Sequence, residues 1–146
     1  MTTLAEFLTA RYNEQARKAM AASIGATSKD WRVDHEPWET NGIGIVDDRD
    51  NSVAVAIGDH VAKHIAGNDP KAVLADIASK RAVVTLHSDG GESPGYLPDG
   101  GYGMLQHACT DCGTHGEWGI PWPCLTLRLL GAVFDEHPDY REEWRP

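Results

Sequence analysis

The chain has 146 residues, a mass of 15.9 kDa and a formal net charge of −9, the length of one domain and enough to bury one modest core. Hydrophobic residues make up 41% and five tryptophans are present, which excludes a disordered chain, because disordered segments lack the large apolar groups that offset chain entropy. The acidic balance argues against nucleic acids and anionic membranes as partners, since both are gripped by clustered Lys and Arg.

The opening MTTLAEFLTARYNEQARKAM mixes charges with its apolar residues, unlike a secretory leader, and no stretch approaches the ~20 apolar residues of a membrane span. The expectation is a cytoplasmic protein with one α+β domain over 1–146. Leu4, Phe7, Leu8, Tyr12, Ala16, Ala19 and Met20 recur at helical steps and predict a helix over 4–24. Thr3 and Glu6 stand in capping-box spacing, and Gly25 is placed to cap the other end.

The helical period is lost after residue 25. Trp31–Asp34, Gly42–Val46 and Ser52–Ile57 read as three short strands of a small antiparallel sheet, with DDRDN as turn chemistry between the last two. Trp31 and Trp38 are expected to cover one face of it. Asp59 is placed to cap a short helix ending near Gly67. Asp69 and Pro70 then open a longer one running to Leu86 or His87, with Val73, Leu74, Ile77 and Val84 as its buried stripe. Residues 88–103 hold six glycines and two prolines and read as an irregular loop or a hairpin. No Lys or Arg lies in that loop, so it does not resemble a phosphate cradle. Cys124 opens the final helix, over 124–137, with Leu125, Leu129, Leu130, Val133 and Phe134 as its apolar face and Pro123 at a first-turn position. Tyr140 and Trp144, four residues apart in the tail, are placed to fold back onto the core.

The chemistry is concentrated in HACTDCGTHGEWGIPWPC. Cys109 and Cys112 form a C-x2-C pair followed by Gly113, the form of a zinc knuckle, in which two thiolates grip one ion from a tight turn. Cys124 supplies a third sulfur at a helix start, where backbone N–H groups favour the thiolate. Three cysteines within sixteen residues fit a disulfide framework poorly. His87, His107 and His115 are all candidates for the fourth position of a structural zinc site. A C-x2-C redox pair and a nucleophilic Cys124 are the competing readings. His60 and His64 form a separate i, i+4 pair, the best place for a metal-dependent or histidine-based enzyme site.

DHVAKHIAGNDPKAVLADIASKR, LH at 86–87, PCLTLRLL and the ending HPDYREEWRP resemble an uncharacterised family of actinobacteria and their phages, a domain of unknown function, and LAEFLTARYNE is similar to it as well. The resemblance implies a metal set of His87, Cys109, Cys112 and Cys124. The glycine-rich insertion departs from the family pattern and leaves His107 and His115 as substitutes for His87. The expected function is that of a small, zinc-stabilised, non-catalytic protein that binds another protein; if phage-encoded, it would act on a host protein in the host cytoplasm. Between Ala82 and Leu127 there is no Lys or Arg, but there are five acids: Asp89, Glu92, Asp99, Asp111 and Glu117. A knuckle with that balance repels phosphates, and the expected partner is neutral or basic. Residues 1–73 carry a net −3 and residues 74–146 a net −6, so the excess acid gathers around the proposed metal site.

Overall fold

Thr3 opens the first helix, α1 (Leu4–Gly25), through a reciprocal cap. Its N–H and hydroxyl donate to Glu6 Oε2 at 2.8 and 3.0 Å, and the Glu6 N–H donates back to Thr3 Oγ1 at 3.2 Å. A computed structural model describes residues 2–35, 42–113 and 118–146. In chain order α1 is followed by β1 (Trp31–Asp34), β2 (Ile43–Asp47), β3 (Ser52–Ala56), α2 (Asp59–Gly67), α3 (Pro70–Leu86), β4 (Ser93–Tyr96), β5 (Tyr102–Leu105) and α4 (Leu125–Gly131). Short 3-10 turns lie at Ala132–Phe134 and Glu142–Trp144. The architecture is α+β, as the sequence suggests. The chain divides into two compact units, Met1–Tyr12 with Ser79–Pro146, and Asn13–Ala78. Among the described residues no helix is long and apolar enough to cross a membrane.

In the unit Asn13–Ala78, β1, β2 and β3 form one antiparallel sheet in that order. Ile45, Ala56 and Ala62 are its fully buried centre, with Trp31, Val33, Ile43 and Ile65 packed around them. Trp31 therefore covers the sheet as expected, while Trp38 lies outside the described residues. Met20, placed by its spacing on the buried stripe of α1, is 49% exposed, whereas Ala16 and Ala19 are buried. Gly25 is not the left-handed residue that ends α1; that conformation falls on Thr27, at φ 61°. A threonine tolerates it here because its hydroxyl donates to Asp47 Oδ2 at 2.6 Å.

Asp47 organises the β2–β3 turn. It is fully buried, and its Oδ1 accepts the N–H groups of Arg49 and Asn51, each at 2.9 Å, while the Asn51 amide donates to Oδ2 at 3.0 Å. Burial pushes the Asp47 carboxyl up, but the bonds from Thr27 and Asn51 and from the backbone outweigh it and hold it well below the usual carboxylate range. With the folded value depressed, Asp47 contributes its stability above the unfolded value of about 4 and loses it as the pH falls toward the folded one. Asp47→Asn is thus expected to lower the urea midpoint at pH 7, and the deficit against wild type should shrink below about pH 4. A deficit equal at both pH values would show that the charge is not what the turn requires.

Two capping expectations part company. Asp69 does cap α3, accepting the Ala72 N–H on Oδ1 at 2.7 Å and the Trp31 N–H on Oδ2 at 3.1 Å. Asp59 does not cap α2; Gly58 holds the cap position, and Asp59 is the first helical residue. Its carboxylate turns instead to Lys63, one turn on, at 2.7 Å.

In the unit Met1–Tyr12 with Ser79–Pro146, the glycine-rich stretch folds as the hairpin β4–β5, in the register Ser93↔Leu105 to Tyr96↔Tyr102. Gly100, at φ 85°, makes its turn. The final helix is shorter than its sequence suggests: α4 stops at Gly131, Cys124 is its N-cap and Pro123 precedes it. Its buried face is also different. Leu127 and Gly131 are buried, whereas Leu125, Leu129 and Val133 are 57%, 57% and 72% exposed. Gly131 explains the choice, because a Cβ there would sit 3.0 Å from Leu4 Cδ1; the bare backbone lets Leu4 approach. The tail does fold back. Trp144 is 3% exposed, and its ring lies 5.2 Å from that of Phe7 and 5.7 Å from that of Tyr140.

Candidate metal centre

The segment around Cys109 is held on both sides by strand-like pairing. On one side the Gly90 N–H donates to Ala108 O at 2.7 Å, the Ala108 N–H to Gly91 O at 2.9 Å and the Thr110 N–H to Ser88 O at 3.0 Å. On the other side the Cys109 N–H donates to Ile120 O at 2.9 Å and the Trp122 N–H to His107 O at 3.0 Å. Cys109 is thereby fixed between the stretch leaving α3 and the stretch entering α4. Cys112 follows on the turn, and Cys124 stands at the start of α4.

His87 comes from the end of α3. Its N–H still bonds back to Val83 O at 3.0 Å, and its carbonyl accepts the Trp122 indole N–H at 3.0 Å. The neighbouring Leu86 carbonyl, another of the helix's terminal acceptors, takes the Thr110 hydroxyl at 2.6 Å. These bonds tie the end of α3 to both cysteine-bearing segments.

Four donor atoms, from His87, Cys109, Cys112 and Cys124, lie within 4.8 Å of one another. His87 Nδ1 faces all three sulfurs, at 3.4 Å from Cys109, 3.2 Å from Cys112 and 3.6 Å from Cys124. No disulfide joins the cysteines, and Cys109, Cys124 and His87 are buried. On the far side of the ring, His87 Nε2 lies 3.7 Å from Asp111 Oδ2. Burial pushes the Cys112 thiol up to about 12, reinforced by hydrogen bonding to Cys124 and Cys109 and by their charge. Sulfurs crowded this way do not ionise together unaided, and a divalent cation inverts that balance by stabilising every thiolate at once. The four residues are close enough to bind a metal ion.

His107 is not in the cluster. Its side chain is exposed, and its Nδ1 pairs with Asp89 Oδ2 at 2.6 Å. His115 lies outside the described residues. His60 and His64 are both exposed, and His64 Nδ1 is 3.5 Å from the Asn68 amide. Neither Asp111 nor Trp122 has a site role in the sequence reading. Asp111 was visible only as an acid inside the C-x2-C pair, and Trp122 only as an aromatic near Cys124, since nothing in the spacing shows which carbonyl or ring nitrogen they meet.

Neither a search of curated proteins nor one of solved structures gives a match to the chain. A family model does match, over residues 1–146, and the chain belongs to that family, a family of unknown function, DUF6221.

Proposed function

We propose that His87, Cys109, Cys112 and Cys124 hold one zinc ion in a closed, structural site, and that the protein acts by binding a neutral or basic protein rather than by catalysis. The observation that carries the reading is His87 Nδ1 facing three sulfurs at 3.2–3.6 Å. A tetrahedral ion with Zn–S of about 2.3 Å and Zn–N of about 2.0 Å sets its nitrogen and sulfur ligands roughly 3.5 Å apart. Soft thiolates with one imidazole favour zinc over the hard, oxygen-seeking cations. Asp111 Oδ2, 3.7 Å from His87 Nε2, sets a carboxylate on the far side of the ring, and its field favours the tautomer with the proton on Nε2, which leaves Nδ1 for the sulfurs. All four positions of such a site are filled by protein, which leaves none for a catalytic water and no free thiol among the three. The ion then joins three stretches of chain, at 87, 109–112 and 124.

Metal analysis of the purified protein tests this. About one zinc per chain is the expected result, and less than about half, in protein prepared without chelator, overturns it. A salt-sensitive shift of DNA by the loaded protein would overturn the choice of a protein partner.

A further inference from the structure

The exposed face of the hairpin β4–β5 is apolar where a solvent-facing sheet surface is ordinarily polar. Alternation puts Pro94, Tyr96, Tyr102 and Met104 on that face and Gly95, Gly103 and Leu105 on the other. Tyr96, Tyr102 and Met104 are 58%, 57% and 55% exposed. The inner face is pressed against the segment after the metal turn. Gly119 bridges Gly95, its N–H donates to Pro94 O at 2.7 Å, and a Cβ on Gly95 would meet Gly119 O at 2.4 Å. That close approach sets Trp118 beside the tyrosines. Its ring stacks on Tyr96 with centroids 5.8 Å apart and meets Tyr102 edge-on at 4.8 Å, and Tyr96 and Tyr102 stand 6.1 Å apart. Trp118 remains 40% exposed. Three aromatic rings in mutual contact thus form one surface open to solvent.

The charge around this surface has one sign. Glu92 precedes β4 and Asp99 sits in the hairpin turn, so that an exposed acid stands at each end of the face. Asp99 accepts the Gly101 N–H at 3.0 Å; among the described residues neither acid has an ion-pair partner. No Lys or Arg occurs from residue 82 to 127. Stacked rings present negative π faces that attract cations, arginine above all, and the flanking carboxylates add to the same field. A second copy of this chain, with its net charge of −9, meets that field with repulsion.

We infer that the Tyr96–Tyr102–Trp118 face docks an arginine-containing basic segment of a partner protein, its guanidinium groups lying on the rings and its charge drawn by Glu92 and Asp99. This rests on the reading of the protein as a binding module and gives that module its surface. The metal cluster then serves as the anchor that holds Trp118 against the hairpin.

The test uses the full-length, metal-loaded protein and a fluorescein-labelled Arg-Pro repeat peptide, read by anisotropy. Saturable binding is expected, with a Glu-Pro repeat giving none. Each ring is expected to contribute about 2- to 5-fold in affinity, so Tyr96→Ala with Tyr102→Ala should weaken binding about tenfold. Tyr96→Phe with Tyr102→Phe keeps the π faces and should bind as wild type. Glu92→Gln with Asp99→Asn should weaken binding in dilute buffer, and this difference should vanish near 0.5 M salt, where the Debye length falls to roughly 4 Å. Metal content and far-UV circular dichroism of each variant report folding. Absence of Arg-Pro binding by a wild-type protein that carries its zinc overturns this inference and leaves the metal reading intact. Equal binding by the wild type and the folded double-alanine variant overturns it as well. Wild-type protein without zinc overturns the metal reading instead. Preferential binding of a single-stranded oligonucleotide over the peptide would replace the partner with a nucleic acid.

Discussion

On the proposed zinc reading, the Cys109→Ser variant is expected to hold no zinc and to unfold around the segments that carry His87, Cys112 and Cys124. Structural zinc sites contribute an apparent ~10–16 kcal/mol, against a net domain stability of about 5–15 kcal/mol. Cys109 sits between two pairing segments and against His87 Nδ1 at 3.4 Å. Its loss takes away one ligand and leaves the crowded partners with an incomplete shell. The expected readings are zinc below about a tenth of an equivalent and faster amide exchange than in the wild type at the backbone-paired amides of Gly90, Ala108, Cys109, Thr110 and Trp122. Chelator added to wild-type protein should reproduce the same exchange pattern. Full retention of the melting temperature after chelation would count against a structural ion.

The second large effect is expected at Trp144. It is 3% exposed and closes over Phe7, and the Arg141 guanidinium lies 5.5 Å from its ring centre. Truncating a buried tryptophan removes its transfer energy and leaves a cavity, for a cost of about 3–5 kcal/mol. Trp144→Ala should therefore lower Tm by more than about 8 °C. Arg145→Ala, next in sequence but on an exposed ion pair with Glu142, should move it by no more than about 2 °C. Similar shifts for the two variants would mean that the tail does not seal this core.

The exposed apolar face of α4 and the aromatic face of the hairpin show where sequence periodicity stops being informative. LTLRLLGAVF offers two apolar stripes, and a helical period cannot rank them. Packing did, because Gly131 admits Leu4 and thereby turns Leu127 inward and Leu125, Leu129 and Val133 outward. In SPGYLPDGGYG the turn residues were legible, but the ring cluster was not. Tyr96 and Tyr102 meet only through the hairpin register, and Trp118 joins them only because two glycines bring the backbones together.

What the sequence determined by itself was local. It held the capping box of α1, the Asp69 cap of α3, the three short strands and the C-x2-C pair with its third sulfur at a helix start, because each depends on residues within a few positions of one another. The choice among histidines was not local. By spacing His107 and His115 are the attractive candidates because they are local, whereas His87 is favoured only as a ligand from another element, at the end of the long helix, and by the resemblance. In the folded chain His107 is bonded to Asp89, while α3 ends where its last carbonyls meet Thr110 and Trp122, which carries His87 Nδ1 to the three sulfurs. A ligand set drawn from three separate stretches depends on where those stretches meet, and long-range backbone pairing decides that.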